Sequence, residues 1–343
     1  MNASIHTPQN QGLVARWLLI CCALVFAMVI LGGVTRLTGS GLSMVDWRPV
    51  TGWLPPLSDA AWLAEFDKYQ TSPEYQKENS HMDVHDFKGI FWLEYLHRLL
   101  GRIIGLAFFV PFVWFAVKGL IPRRDYPKYG LMFLLGGMQG VLGWYMVKSG
   151  LVDRPDVSQY RLTAHLLSAF LIYAFMFWVA LSLLYPAAGT RVHERFGRTL
   201  ALTGLIIVTI VSGGFVAGLK AGKIYNTFPM MGDHWVPPGV FALEPAWRNF
   251  FDNMALVQFD HRVLAITTFL LIVAYWWSMR RIELPRRVKK AVNALLHTAT
   301  LQVALGIATV MLVVPIPLAA AHQATAMLLF TVALYLCHGL RRT

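Results

Sequence analysis

Eight runs of about 20 apolar residues divide the sequence, at 15–34, 89–117, 131–147, 161–184, 199–219, 254–278, 291–313 and 319–340. Each is long enough to cross roughly 30 Å of hydrocarbon as a helix. In that medium every backbone N–H and C=O must be bonded within the protein, which leaves only helices or a closed barrel, and unbroken apolar runs of this length are helical. The expected fold class is an all-α polytopic membrane protein with eight transmembrane helices. Composition agrees: 56% of the 343 residues are hydrophobic and 14% charged, where a soluble domain carries about a quarter charged residues. A polar loop without an A-x-A-like cleavage site follows the first run, so that run reads as a retained helix rather than a signal peptide.

The net charge of +12 raises the question of a nucleic-acid partner, and its placement answers it. With the N-terminus in the cytoplasm, the inner segments hold sixteen basic residues against three acids, Asp125, Glu194 and Glu283. The outer loops hold eleven basic and thirteen acidic residues. This is the positive-inside bias of membrane proteins, and it places both termini in the cytoplasm. The basic excess is topology and calls for no nucleic acid. Cys21, Cys22 and Cys337 all fall within apolar runs, so no loop pair points to a disulfide or a cysteine-based metal site.

The loop after the first run, about 54 residues long, carries Trp62, Phe66 and Tyr69 at i, i+4, i+7. That spacing predicts a short amphipathic helix lying on the membrane surface. Beyond the loops, the chain repeats itself when cut near residue 190. GGVTRLTGSGLSMVDW answers GGFVAGLKAGKIYNTFPMMGDHW, EYLHRLLGRIIGL answers QFDHRVLAITTFL, and RLTAHLLSAFLIYAF answers AAAHQATAMLLFTVA. GGMQGVLGWYMV answers TATLQVALGIATV, aligning Gln139 with Gln302. Four helices per half is an even number, so the duplication is parallel. The expected architecture is two pseudo-symmetric four-helix bundles, one from residues 1–190 and one from 191–343.

Each half carries one histidine on its second helix and one on its fourth: His97 and His165, then His261 and His322. All four lie near the outer ends of their helices. One turn deeper on the same face stand Gly101, Ala169, Ala265 and Ala326, small residues that leave room beside an imidazole for something flat. Two histidines over a cleared apolar face suit haem iron between axial ligands, whereas zinc favours three or four close donors and small residues also serve plain helix packing. The halves differ three residues before the first histidine of each pair, where Glu94 in one half is Gln258 in the other. Arg98 and Arg262 follow the histidines in both halves and could serve propionates or a local carboxylate; Glu94 and Arg98 can also pair at i, i+4. A charge at bilayer depth is costly unless paired, ligated or functional. His81 and His85, in the first outer loop, have i, i+4 spacing and read as a solvated pair rather than a metal site.

GGVTRLTGSGLSMVDWRPVTGWLPP, EYLHRLLGR and GGMQGVLGWYMV resemble the haem A synthases, membrane oxygenases of the bacterial and mitochondrial respiratory line, and the likeness runs from the first helix to the eighth. The resemblance implies conversion of haem O to haem A by oxidation of one porphyrin methyl group to a formyl group, with a b-type haem as cofactor. By position His261 and His322 match the ligands of haem b, with Arg262 beside them. His97 and His165 match the pair that receives the substrate haem, and Glu94 with Arg98 matches the E-x-x-H-R motif tied to activity. Some relatives carry a cysteine pair in the first outer loop; this chain has none there. The implied partners are a haem O synthase, an electron donor such as a ferredoxin, cytochrome oxidase assembly and the lipid bilayer. No long transit-like extension precedes the first run, which favours a bacterial inner membrane with the histidines toward the periplasm. A di-haem cytochrome b or a haem-delivery factor would need the same four histidines; the Glu94/Gln258 difference and the first-loop motif weigh against both.

Overall fold

The computed structural model describes residues 8–48, 51–152, 155–186 and 192–341. Eight helices are long and apolar enough to cross a membrane: α1 (Pro8–Leu37), α3 (Val84–Val117), α4 (Tyr126–Lys148), α5 (Gln159–Leu184), α6 (Phe196–Gly218), α8 (Met254–Met279), α9 (Arg286–Met311) and α10 (Ile316–Leu340). Two further helices belong to the loops, α2 (Asp59–Gln70) and the single turn α7 (Asn249–Asp252). No strand forms among the described residues beyond one isolated bridge, Met231 to His234.

The helix ends follow from local chemistry. Asp83 caps α3 by accepting from the N–H groups of His85 and Asp86, Ser58 caps α2 through Ala61 N–H, and Asn253 caps α8 through Ala255 and Leu256. Each satisfies donors that the first helical turn leaves unbonded. Pro285 and Pro315 stand just before α9 and α10. After α1 the chain turns through Gly39 at φ +68°, a left-handed conformation that glycine adopts without penalty.

The chain divides into two compact units, Met1–Met176 and Phe177–Thr343. The division falls inside α5. The boundary expected from the repeat, 190/191, lies outside the described residues, as do Arg191 and Arg342 of the inner basic set. In the second unit α6 packs on α8 and α10, and α9 packs on α8 and α10. Four helices thus close a ring. In the first unit α3 packs on α1 and α4, and α5 meets α4 where Gln139 Nε2 donates to the His165 carbonyl at 2.7 Å.

α3 is the element that departs most from expectation. Its 34 residues make a rod of about 51 Å, against about 30 Å of hydrocarbon. The helix is thus longer than the bilayer core requires, and α2 lies against its N-terminal end. Trp62, Phe66 and Tyr69 are buried on Phe87, Phe91 and Tyr95, with Tyr69 and Phe87 stacked at 5.1 Å and Trp62 edge-on to Phe91 at 4.9 Å. The amphipathic helix forms where the spacing predicts it, but its apolar stripe faces α3 rather than lipid. An aromatic partner from the same chain offers denser contact than the membrane interface does.

Candidate haem-binding site

The EYLHRLLGR segment sits on the outer half of α3 and presents two faces with different duties. Glu94, Arg98 and Arg102, at i, i+4, i+8, form a stripe that holds the loop following α1. The Glu94 carboxylate is 3% exposed; its Oε2 accepts from Ser43 Oγ at 2.7 Å and Met44 N–H at 2.8 Å, and its Oε1 accepts from Arg98 Nε at 3.0 Å. Arg98 donates onward to the carbonyls of Met44 and Asp46, both at 2.8 Å. Arg102 donates to the Arg48 carbonyl at 2.6 Å, and Tyr95 Oη to that of Trp53, also at 2.6 Å. The charges are tolerated because each has a partner.

The second unit repeats the clamp without the carboxylate. Gln258 Nε2 donates to the Tyr225 carbonyl at 3.1 Å. Arg262 donates to the carbonyls of Tyr225 and Thr227, both at 2.8 Å, and of Met230 at 3.3 Å. Both arginines are thus committed to loop backbone. The Asp46–Lys68 pair adds a tie outside the helices: Lys68 Nζ is 3.0 Å from Asp46 Oδ2. That hydrogen bond, with Arg48 behind it, holds the Asp46 carboxyl below its ordinary value, and Glu65 and Asp46 raise the Lys68 ammonium.

The other face of α3 carries His97, turned toward α1. A Cβ placed on Gly32 of α1 would stand 3.0 Å from His97 Nε2. A glycine also lies against each of the other three rings, facing Cε1 rather than Nε2. A Cβ on Gly143 would stand 3.1 Å from Cε1 of His165, one on Gly213 3.1 Å from Cε1 of His261, and one on Gly306 2.9 Å from Cε1 of His322. In each case the glycine belongs to the preceding spanning helix. Within each unit the two histidines are electrostatic neighbours, His97 with His165 and His261 with His322. All four histidines are half-buried.

The hydrogen-bonding around the rings differs between units. Ser212 Oγ is 2.8 Å from His261 Nδ1, and Gln302 Nε2 is 3.4 Å from His322 Nε2. His165 Nδ1 and His322 Nδ1 are both buried without a partner. Gln139, the counterpart of Gln302, instead donates to the His165 carbonyl and accepts from Ser168 Oγ at 2.6 Å. Imidazoles in pairs, each against a glycine in place of a larger side chain, are a donor set that fits haem iron.

The structure brings each sequence-predicted histidine pair together and places Glu94 and Arg98 on one clamp, with Gln258 and Arg262 on the other. The clearing beside the rings is not where the sequence spacing put it in the first unit. A Cβ on Gly101 would meet Met28 Cε at 3.2 Å, so that gap is filled by methionine. The glycines that do clear the rings lie on the neighbouring helices. Their signal was in the repeat: Gly32 aligns with Gly213 and Gly143 with Gly306. His85 gathers with Asp83 and Asp86 at the exposed start of α3, without His81, and capping accounts for Asp83 there.

Residues 15–334 match the family model described as cytochrome oxidase assembly protein. A "Heme A synthase" of Nitrosospira multiformis is 55% identical over 97% of this chain and 94% of its own length. The "Heme A synthase COX15" of Arabidopsis thaliana is 47% identical over 98% of this chain and 76% of its own. Its human namesake is 46% identical over 99% and 85%.

Proposed function

The chain belongs to the cytochrome oxidase assembly family, and on that premise we propose that it acts as a haem A synthase, oxidising one methyl group of haem O to a formyl group in the membrane. The observation that carries this reading is the identity to proteins of that name, near one residue in two over at least 97% of the chain. Haem O is the substrate, and the histidine pairs supply two places for a haem. His261 and His322 hold a resident haem b; His97 and His165 receive haem O. When bound, haem b supplies one-electron transfer, which a side chain cannot. Oxidation of a C–H bond that acid–base chemistry leaves inert needs an oxidant, here O₂, and electrons from an external donor such as a ferredoxin. Two hydroxylations, each consuming one O₂, two electrons and two protons and releasing one water, give a gem-diol that loses water to the aldehyde.

The protein's own part is positioning. Gly32 and Gly143 let the His97 and His165 rings lie close against the neighbouring helices. Glu94 and Arg98 hold Ser43, Met44 and Asp46 of the loop after α1 against α3. Glu94 also sets a fixed partner charge one turn from His97, which Gln258 does not supply in the other unit. A haem O synthase is the supplier this chemistry requires. The charge bias puts both termini in the cytoplasm of a bacterial cell and the histidine ends toward the periplasm.

Haem extracted from membranes of cells that make haem O, with and without this protein, tests the reading. The formyl product or its hydroxymethyl precursor is expected only when the protein is present. Haem O left unchanged beside folded protein with verified electron supply would overturn it.

A further inference from the structure

His261 rests against a two-residue step on α6. Gly213 lies under Cε1 of the ring, and Ser212, the residue before it, reaches Nδ1 at 2.8 Å. Ser212 Oγ also lies 2.8 Å from the Thr209 carbonyl, to which it donates, leaving its lone pairs open to the ring. With His261 read as a haem ligand through Nε2, Nδ1–H is the donor and Ser212 Oγ the acceptor. A hydrogen bond of this kind sets ring orientation and raises ligand basicity.

The first unit has the glycine without the serine. Gly32 aligns with Gly213 but faces the Nε2 edge of His97 where Gly213 faces the Cε1 edge of His261, and the residue before it is Leu31, whose side chain has no acceptor to offer. The second histidines of the two pairs do not carry this difference: His165 Nδ1 and His322 Nδ1 are both buried without a partner. At the equivalent position, then, Ser212 supports His261 in the second unit and Leu31 offers no such bond in the first.

We propose that Ser212 is a positioning residue that latches His261, so that the second unit retains its haem while the first, with Leu31 in that place, exchanges its own. The inference rests on the reading of His261 and His322 as haem b ligands. A resident cofactor needs ligands that stay; a substrate that arrives as haem O and leaves as haem A needs ligands that release it.

The test uses the full-length protein purified in detergent with its haem. Three readouts apply: the rate of haem b transfer to apomyoglobin, the midpoint potential, and the low-spin EPR g-values. Ser212→Ala is expected to speed haem b transfer by about 10- to 100-fold, the usual effect of losing such a partner, and to move the g-values; Ser212→Thr restores both. Leu31→Ser is expected to slow release of haem O from the first unit. Transfer at the wild-type rate with unchanged g-values in Ser212→Ala, or unchanged haem O release in Leu31→Ser, would overturn the latch. His261→Ala separates this from the underlying assignment. If it keeps the haem b spectrum, the ligand reading itself falls; if it loses haem b while Ser212→Ala behaves as wild type, only the latch does.

Discussion

Glu94 has a natural control within its own molecule. Gln258 and Arg262 hold the second unit's loop by carbonyls alone, so a neutral amide beside the arginine is compatible with this fold. Glu94→Gln is therefore expected to keep the fold and any bound haem b. Conversion of haem O should fall by about 100-fold, within the range that positioned charge and proton-handling groups contribute; a folded Glu94→Gln protein with full conversion would remove the charge from the reaction. Glu94→Ala differs, because it strips Arg98 of its buried partner, and breaking such a pair costs about 3–5 kcal/mol. Thermal unfolding of the two variants separates these effects. The glycines call for another readout. Gly213→Ala or Gly306→Ala gains about 1 kcal/mol of helix propensity against roughly 1–3 kcal/mol of overpacking, so Tm should move little. The imidazole has to yield by several tenths of an ångström, and a shift in the low-spin haem b spectrum is the expected sign. An unchanged spectrum would mean that the ring position is not set there.

At the scale of elements, the outer end of the first unit is a small domain built on α3. Six aromatic side chains join α2 to it, and Phe66→Ala should cost about 3–5 kcal/mol of local stability. Hydrogen exchange would show α2 opening while α3 stays protected. The Asp46–Lys68 tie carries the pH dependence. Asp46 has a folded pKa below its ordinary 3.8, so its contribution is complete above that value and is lost as pH falls through the lower folded one. Lys68 is raised above 10.5, so its share is complete below that value and lost as pH rises through the higher one. Exchange in residues 44–48 should therefore be slowest and flat across the range between. Both side chains are well exposed, 42% and 39%, so the effect is small and fades with added salt. Asp46→Asn should abolish the acid limb.

For the molecule as a whole, the charge bias gives the topology a direct test. Alkaline phosphatase, active only after export, should be active when fused within residues 72–80 and inactive when fused at 119–121 or at the C-terminus. The reverse pattern would invert the assignment of both faces. Much of this level was readable from the chain: eight apolar runs became eight spanning helices, and the four repeat histidines came together in two pairs. The clearing beside the rings was read from i, i+4 spacing on the histidines' own helices. That spacing reports one helix at a time. Whether a gap is open depends on what the neighbour puts into it, and at Gly101 the neighbour is Met28.

The sequence by itself determined what short-range rules and the solvent dictate. Apolar length fixes a spanning helix because lipid allows the backbone no other bonding. Lys and Arg placement sets the orientation to be expected, and the sequence repeat sets which residues are expected to correspond. The tertiary structure decided what depends on two helices at once. It put α2 on α3 instead of on lipid and turned Glu94 and Arg98 onto the loop after α1. It also laid each histidine against a glycine from the helix before it and gave Ser212 to His261 while giving Leu31's place no acceptor. These are contacts between residues roughly 16 to 65 positions apart. No periodicity within one segment encodes them, because they exist only once the helices have packed.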